Sequence, residues 1–174
     1  MPGNFNPVLG IDIGGVLIDR ANDDADTSFF GPNYLLTTAV TDAFTSIRRL
    51  SNSGYNIYLV SKCGKKTEEK TRHWLAHHQF FEKAAVLRSN IRFCRKRNEK
   101  AQICAEIGAE YFIDDRLEVL SYLKSVPNLY LFNADEREVQ QFSEALTRVT
   151  RVSSWNEVAL LLLDDLGPER TSNS

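Results

Sequence analysis

The chain has 174 residues, of which 43% are hydrophobic and 25% charged, and its formal net charge at pH 7 is -2. Such values are typical of a globular protein that is long enough to bury a core. The nearly balanced charge argues against general nucleic-acid binding, and no apolar run approaches the roughly 20 residues that cross a bilayer. We therefore expect neither a membrane partner nor general binding to nucleic acid.

The cysteines Cys63, Cys94 and Cys104 are odd in number and show no CxxC spacing. This pattern fits reduced, buried thiols, and neither disulfides nor a zinc site. The first residues show neither a basic segment nor an apolar signal core. The sequence therefore predicts a cytoplasmic protein.

Apolar runs and helical patterns alternate along the chain. Strands are predicted within 8–19, at 56–61, 111–113 and 128–132, and in one or both of 84–87 and 91–94. Helices are predicted at 38–53, 66–78, 98–107, 117–123, 136–149 and 155–166, and a loop or small flap at 20–33. This alternation predicts an α/β fold of three layers, with a doubly wound, Rossmann-like sheet of about five parallel strands. No linker or repeat divides residues 1–166, which we expect to form one domain, and residues 167–174 to form a disordered tail.

Polar side chains follow three of the predicted strands. Asp12 ends the first strand, Ser61 ends the second, and Asp114 and Asp115 follow the strand at 111–113, whose preceding helix begins near Lys100. Because the carboxyl ends of parallel strands share one edge of a sheet, we expect these groups to converge on one crevice. The local alternatives are turn and helix caps for the aspartates and an ordinary surface position for the lysine.

Carboxylates clustered in this way suit a hard cation, most naturally Mg²⁺, which takes oxygen ligands and leaves positions for phosphate oxygens. A carboxylate beside the cation can attack phosphorus and form an aspartyl phosphate. A lysine and a hydroxyl group would offset the charge on the transferred phosphoryl group. The constellation therefore predicts phosphoryl-transfer chemistry with Mg²⁺ as the cofactor.

The order of these residues resembles the four motifs of the haloacid dehalogenase superfamily. The motifs are DIGGV from Asp12, the strand-ending Ser61, Lys100, and the pair Asp114-Asp115, and the resemblance covers about residues 8–132. The segment FIDDR at 112–116 is also similar to the fourth motif of the 5'(3')-deoxyribonucleotidase branch. The resemblance implies a HAD-like fold and a phosphatase that works through an aspartyl phosphate.

Carried over by position, the resemblance implies that Asp12 is the nucleophile and also a metal ligand. Gly14 would give its backbone carbonyl oxygen to Mg²⁺. Asp114 would bind Mg²⁺ directly, and Asp115 directly or through water.

The resemblance assigns the phosphate to three further residues. Ser61 would hydrogen-bond the phosphoryl group with help from the backbone amide of Lys62. Lys100 would pair with both Asp12 and the phosphate, which makes it a catalytic and a phosphate-binding residue.

The sequence departs from the family pattern at Gly14, where family phosphatases have a second aspartate that serves as general acid and base. Such a group typically contributes about 10² to 10⁴-fold in rate. One interpretation is a slow phosphatase, or one restricted to good leaving groups, with a proton supplied by substrate or by Asp19, Asp23 or Asp24. The others are a catalytically degenerate protein that binds Mg²⁺ and phosphate as a scaffold, and different chemistry such as dehalogenation.

The segments where this family inserts cap domains are short. Residues 20–33 cannot hold a domain, and residues 64–98 hold little beyond one helix and one strand. We therefore expect no sizeable cap and an open site. Such a site suits a phosphorylated small molecule or macromolecule, unless a second subunit of a homo-oligomer covers it.

A basic run near Lys100 consists of Arg88, Arg92, Arg95, Lys96 and Arg97. Planar arginine forks suit phosphate oxygens, so Arg92 and Arg95 are candidates for a substrate-binding rim at the carboxyl end of a strand. The alternative is a solvated surface of ordinary basic residues.

Overall fold

The computed structural model describes residues 6–20 and 28–167. Six strands form one sheet: β1 (Val8–Ile11), β2 (Asn56–Lys62), β3 (Ile91–Cys94), β4 (Ala109–Asp114), β5 (Asn128–Phe132) and β6 (Val149–Val152). All neighbouring strands pair in parallel, in the order β3-β2-β1-β4-β5-β6. The predicted doubly wound, parallel α/β sheet is therefore confirmed, with one strand more than expected.

Seven α-helices are found in the described residues: α1 (Ala43–Asn52), α2 (Lys65–His77), α3 (Phe80–Ala84), α4 (Glu99–Ile107), α5 (Leu117–Tyr122), α6 (Glu136–Gln141) and α7 (Trp155–Leu166). Short 3-10 helices lie at Tyr34–Leu36 and Ser143–Arg148. The part of the predicted tail beyond residue 167 lies outside the described residues.

The strands are buried on both faces because successive side chains alternate between two apolar cores. On β4, Ile113 packs in a core with Trp74 of α2 and Trp155 of α7. Its neighbour Phe112 packs in the opposite core with Leu120 of α5 and residues of α4 and α6. Helices on both faces of the sheet make the three predicted layers.

The order of the strands reverses at β1, which pairs with β2 on one side and with β4 on the other. Open α/β sheets bind ligands at such a switch point, outside the carboxyl ends of the strands. The backbone of Asp12 continues the pairing with β4, since its N–H donates to the carbonyl oxygen of Ile113 at 2.9 Å. Asp12 and the last residue of β4, Asp114, therefore leave the sheet side by side.

Two predicted helices differ from the structure. The helix predicted at 38–53 begins only at Ala43, because Val40 donates its N–H to Leu17 and Asp19 donates to Thr38, which ties this segment to the turn after β1. The helix predicted at 136–149 ends at Gln141 and is followed by the second 3-10 helix and β6. β6 has four residues, of which Val152 alone is buried, so it lacks the apolar run of a central strand.

No cap domain is found in the described residues. Between β2 and Lys100 the chain forms only α2, α3 and β3, and α3 packs against α1. Within the described ranges, no helix is both long and apolar enough to cross a membrane. The three cysteines are free and buried.

Candidate active site

Lys100 links the ends of the two strands at the switch point. Its Nζ donates to Oδ1 of Asp12 and to Oδ2 of Asp114, each at 2.8 Å, and the residue is only 2% exposed. The first turn of α4 therefore delivers a lysine into the crevice, as its place in the sequence predicted. Burial alone would lower the pKa of Lys100, but the carboxylates of Asp114 and Asp12 outweigh it and raise that pKa, so the ammonium stays charged.

Three carboxyl groups converge beside this lysine. Asp12, Asp114 and Asp115 each offer an oxygen within 4.8 Å of the other two. Oδ1 of Asp114 accepts from the backbone N–H of Arg116 at 3.0 Å, whereas Oδ1 of Asp115 is buried and has no hydrogen-bond partner in the described residues. A buried carboxylate oxygen without a donor is costly unless a cation or water satisfies it. The cluster therefore fits a hard divalent cation such as Mg²⁺, which takes oxygen ligands.

Burial and charge crowding in the cluster raise the pKa values of the two acids that neighbour Asp12. Burial, followed by the charge of Asp12, raises the pKa of Asp114 despite the opposing effect of Lys100. Burial and the charges of Asp12 and Asp114 raise the pKa of Asp115 to about 8, and Arg20 opposes this only in part. Without a cation, the site therefore favours a proton on Asp115 at neutral pH.

The raised pKa of Asp115 predicts how the stability of the chain depends on pH when divalent cations are removed. Asp115 holds its proton more tightly in the folded chain than at its usual pKa of 3.8, so its contribution is complete below about pH 4 and is lost as the pH rises through about 8. Between pH 5 and 8, we expect the wild-type Tm to fall by at least about 3 °C, equivalent to about 1 kcal/mol in a domain of this size. Calorimetry in a chelator checks this. The Tm of Asp115→Asn should fall less over this pH range. The Tm of Asp164→Asn, a change at an exposed position of α7, should fall as much as that of the wild type.

A tight turn after β1 brings the backbone of residues 13–18 against the cluster. The N–H groups of Leu17 and Ile18 both donate to the carbonyl oxygen of Ile13, and Gly15 donates to Ile18. Gly15 has a φ of +79°, and a Cβ on it would lie 3.0 Å from Cγ of Asp115 and closer still to its Oδ2. Glycine is therefore required here by both the backbone conformation and the approach of Asp115.

The space beside Gly14 is occupied by a cation. A Cβ built on Gly14 would lie 2.9 Å from both Nε and Cζ of Arg20, and closer to Nη2. The guanidinium of Arg20 thus lies where a side chain at position 14 would project.

These groups line one cavity of about 440 Å³. Ser61 and Lys62, at the end of β2, lie on its wall with Asp12, Gly14 and Lys100. The cavity also reaches Phe29 and Phe30, the latter 59% exposed. The structure thus brings together every residue predicted for the nucleophile, the phosphate and the metal.

The two arginines predicted for a substrate-binding rim, Arg92 and Arg95, do not line the cavity. Arg92 stacks over the ring of Tyr58 and donates to the carbonyl oxygens of Ser89 and Ile91, and Arg95 binds Cys63 and Glu68. Neither lines the cavity, because both side chains are engaged by neighbouring loops and rings. The structure therefore does not place these two residues on the cavity wall, and a role for them in substrate binding stays a prediction.

The arginines that do line the cavity are Arg20, Arg97 and Arg116. Arg97 is held at 3.1 Å by Glu118, and Arg116 directly follows the two aspartates. Arg97 belongs to the basic run of the sequence and Arg116 is the last residue of the FIDDR segment, whereas Arg20 belongs to no motif.

Glu138 is another residue that the sequence pattern did not indicate. Its two carboxylate oxygens accept the backbone N–H groups of Leu117 and Glu118, at 2.7 and 2.9 Å. These are orphan donors of the first turn of α5. Glu138 thereby anchors α5 immediately after the Asp114-Asp115 pair.

A substitute general acid is not found in the described part of the cavity wall, where Asp12, Asp114 and Asp115 are the acidic residues. Asp19 has contacts of its own and is not part of that wall. Asp23 and Asp24, the other two candidates, lie outside the described residues.

Comparison with protein-family models finds no matching family. Among curated proteins, the chain is 27% identical over 115 residues to one from Oceanobacillus iheyensis named "Putative nucleotidase"; the match covers 66% of this chain and 56% of that protein. A Bacillus cereus protein of the same name is 26% identical over 125 residues, which is 71% of this chain and 60% of that protein. The chain thus spans little more than half the length of these curated relatives.

The solved structures similar to this chain share its fold at low sequence identity. The D,D-heptose 1,7-bisphosphate phosphatase of B. bronchiseptica, complexed with magnesium and phosphate, superposes with a TM-score of 0.63 at 14% identity, covering 91% of this chain and 99% of that one. A Burkholderia xenovorans protein named "putative haloacid dehalogenase-like hydrolase" gives a TM-score of 0.65 at 12% identity, covering 90% of this chain and 96% of that one. The predicted resemblance is confirmed for the architecture: the chain has the fold of the haloacid dehalogenase superfamily.

Proposed function

We propose that the chain is a Mg²⁺-dependent phosphohydrolase in which Asp12 attacks phosphorus and forms an aspartyl phosphate. The observation that carries the proposal is the buried pairing of Lys100 with both Asp12 and Asp114, beside the unpartnered oxygen of Asp115. A structural ion pair would need one carboxylate for the lysine. Three carboxyl groups in one crevice instead suit a divalent cation, with one of them also able to act as the nucleophile.

Each group of the crevice has a place in this chemistry. Lys100 orients the carboxylate of Asp12 and provides a fixed positive charge for the phosphoryl oxygens. Ser61 supplies a hydroxyl group from the neighbouring strand end, and the backbone amide of Lys62 lies next to it in the chain. Asp12, Asp114, Asp115 and the carbonyl oxygen of Gly14 would hold Mg²⁺, which would offset the negative charge on the transferring group.

The relatives are consistent with this class of reaction. Two curated relatives carry the name nucleotidase, and the similar structures include phosphatases of a sugar bisphosphate and of phosphoserine. Gly14 nevertheless leaves the proposed phosphatase without the usual acid. We therefore propose a slow or selective enzyme that acts on substrates whose leaving groups need no proton.

Removal and return of the metal test the proposal. After treatment with a chelator, the protein should release no nitrophenolate from p-nitrophenyl phosphate, and Mg²⁺ should restore the activity and raise the Tm. Since Asp115 supplies the unpartnered oxygen, Asp115→Asn should raise the Mg²⁺ concentration for half-maximal activity by at least about tenfold. Asp164→Asn is the matched control.

The outcomes separate the alternatives that the sequence left open. A rise in Tm with Mg²⁺ but no hydrolysis of any phosphate would favour a binding or scaffold protein over an enzyme. Chloride release from a haloacid would favour dehalogenation.

A further inference from the structure

The position of Arg20 narrows the class of substrate. Its guanidinium occupies the space that a side chain on Gly14 would fill, directly beside the cluster of Asp12, Asp114 and Asp115. In the proposed phosphatase, the missing acid at this position would have served the oxygen of the leaving group. A permanent cation therefore lies where that oxygen would emerge.

Arg20 forms no close ion pair in the described residues, although its charge acts on the nearby carboxyl group of Asp115. Lys100 is paired with two carboxylates and Arg97 with Glu118, but neither Arg20 nor Arg116 forms an ion pair within the described residues. Lys62 also lines the cavity and adds a further positive charge. An unpaired arginine at the wall of a crevice is a ready site for an anion.

The cavity as a whole has an excess of positive charge, although the chain is slightly acidic. Its acidic lining consists of three aspartates, and its basic lining consists of Arg20, Lys62, Arg97, Lys100 and Arg116. A second cavity of about 270 Å³ shares Lys62 and Arg97 with the first. A substrate with negative charge on both sides of the broken bond would use these cations, whereas a neutral alcohol would not.

Arginine chemistry then decides which bond can be broken. A guanidinium stays protonated at any physiological pH, so it cannot give a proton to a leaving group. It can donate hydrogen bonds to a developing anion, as arginine does in phosphoryl transfer. An alkoxide is a strong base and must be protonated as it leaves, whereas a phosphate or polyphosphate leaves as a stable anion.

We infer that Arg20 binds the leaving group in place of the missing acid, and that the site acts on phosphoanhydrides in preference to alkyl phosphate monoesters. This inference rests on the proposed function, since it assigns the substrate class of the same site. The exposed guanidinium then does electrostatically what the aspartate of related phosphatases does by proton transfer.

The reaction balances without a proton donor. A carboxylate oxygen of Asp12 forms a bond to the terminal phosphorus, and the bridging P–O bond breaks, with its electron pair staying on the leaving phosphate. Arg20 stabilises that anion as it departs. Water then attacks the phosphorus of the aspartyl phosphate, the carboxylate of Asp12 is regenerated, and the released phosphate keeps one proton of the water and gives the other to solvent.

Three substrates with different leaving groups test the inference: inorganic tripolyphosphate, p-nitrophenyl phosphate and glycerol 3-phosphate. For the wild type, kcat/KM should be lowest for glycerol 3-phosphate, by at least about 10²-fold, because its alkoxide finds no acid. Arg20→Ala should lower kcat/KM for tripolyphosphate by about 10² to 10³-fold, the usual cost of one donor to a developing anion. The same variant should lower activity on p-nitrophenyl phosphate far less, since the phenolate spreads its own charge.

Two controls keep the result interpretable. Arg20→Lys should recover part of the lost activity. Arg151→Ala, at an exposed position of β6 where the arginine pairs with Glu136 of α6, should behave as the wild type. In the inactive Asp12→Asn background, calorimetry should show weaker binding of tripolyphosphate when Arg20→Ala is added.

Equal losses on all three substrates, or glycerol 3-phosphate as the best one, would overturn the inference alone. Absence of any Asp12-dependent hydrolysis would overturn the proposed function as well.

Discussion

Asp12→Asn is expected to abolish phosphate hydrolysis, with a loss of at least about 10⁴-fold in kcat, as for removal of a covalent nucleophile. An amide cannot attack phosphorus as a carboxylate does, although it fills the same space. The oxygen of the new side chain can still accept from Lys100, which also retains its bond to Asp114. We therefore expect the fold to survive, and the loss of activity to report on chemistry alone.

The Tm of Asp12→Asn provides an independent test of the role of Asp12. The charge of Asp12 raises the pKa of both Asp114 and Asp115, so removing it relieves repulsion in the metal-free site. The Tm of Asp12→Asn in a chelator should therefore equal or exceed that of the wild type. Melting curves check this, and turnover of p-nitrophenyl phosphate checks the activity. Residual hydrolysis equal to that of the wild type would exclude Asp12 as the nucleophile.

The chemical core of the site could be predicted because it depends on topology. In an alternating β/α chain, residues at the carboxyl ends of neighbouring strands must meet, so Asp12, Ser61 and Asp114 could be placed together without coordinates. Lys100 was predictable only through its place in the motif order. Its burial, at 2% exposed, is a property of the folded chain that a charged residue does not indicate by itself.

The surroundings of the site could not be predicted because they depend on where long side chains point. Arg92 and Arg95 looked suitable for phosphate, yet Tyr58 and Glu68 engage them away from the cavity. Arg20 reaches the site from the far end of the turn after β1, in a segment with no periodic pattern. Edge strand β6 was missed for a related reason, since its two central residues are exposed and show no apolar run.

The largest gain of activity is expected from restoring the acid, but only when Arg20 is removed with it. In Gly14→Asp, the introduced carboxyl group meets the guanidinium of Arg20 as soon as its Cβ is added. The arginine side chain is exposed at the edge of the cavity and can move, but the two groups would then pair. Such pairing lowers the pKa of a carboxyl group and makes it a poor proton donor.

We therefore expect Gly14→Asp alone to improve hydrolysis of glycerol 3-phosphate only slightly. The double variant Gly14→Asp/Arg20→Ala should improve it by about 10² to 10⁴-fold, the range that general acid and base catalysis supplies. Gly14→Asn/Arg20→Ala has nearly the same shape without a titratable group and serves as the matched control. The measurement is kcat/KM at several pH values, since only the variant with the acid should gain a limb that falls as this acid is deprotonated.

Comparison of the single and double variants shows what Arg20 does in the native site. If both variants gained equally, the guanidinium would not control the introduced carboxyl group, and its place beside Gly14 would have no chemical consequence. If neither gained, the crevice would not be arranged for monoester hydrolysis even with its acid restored. A gain confined to the double variant would mean that Gly14 and Arg20 act together: the glycine leaves the space that the arginine fills, and the pair replaces proton transfer with charge stabilisation of the leaving group.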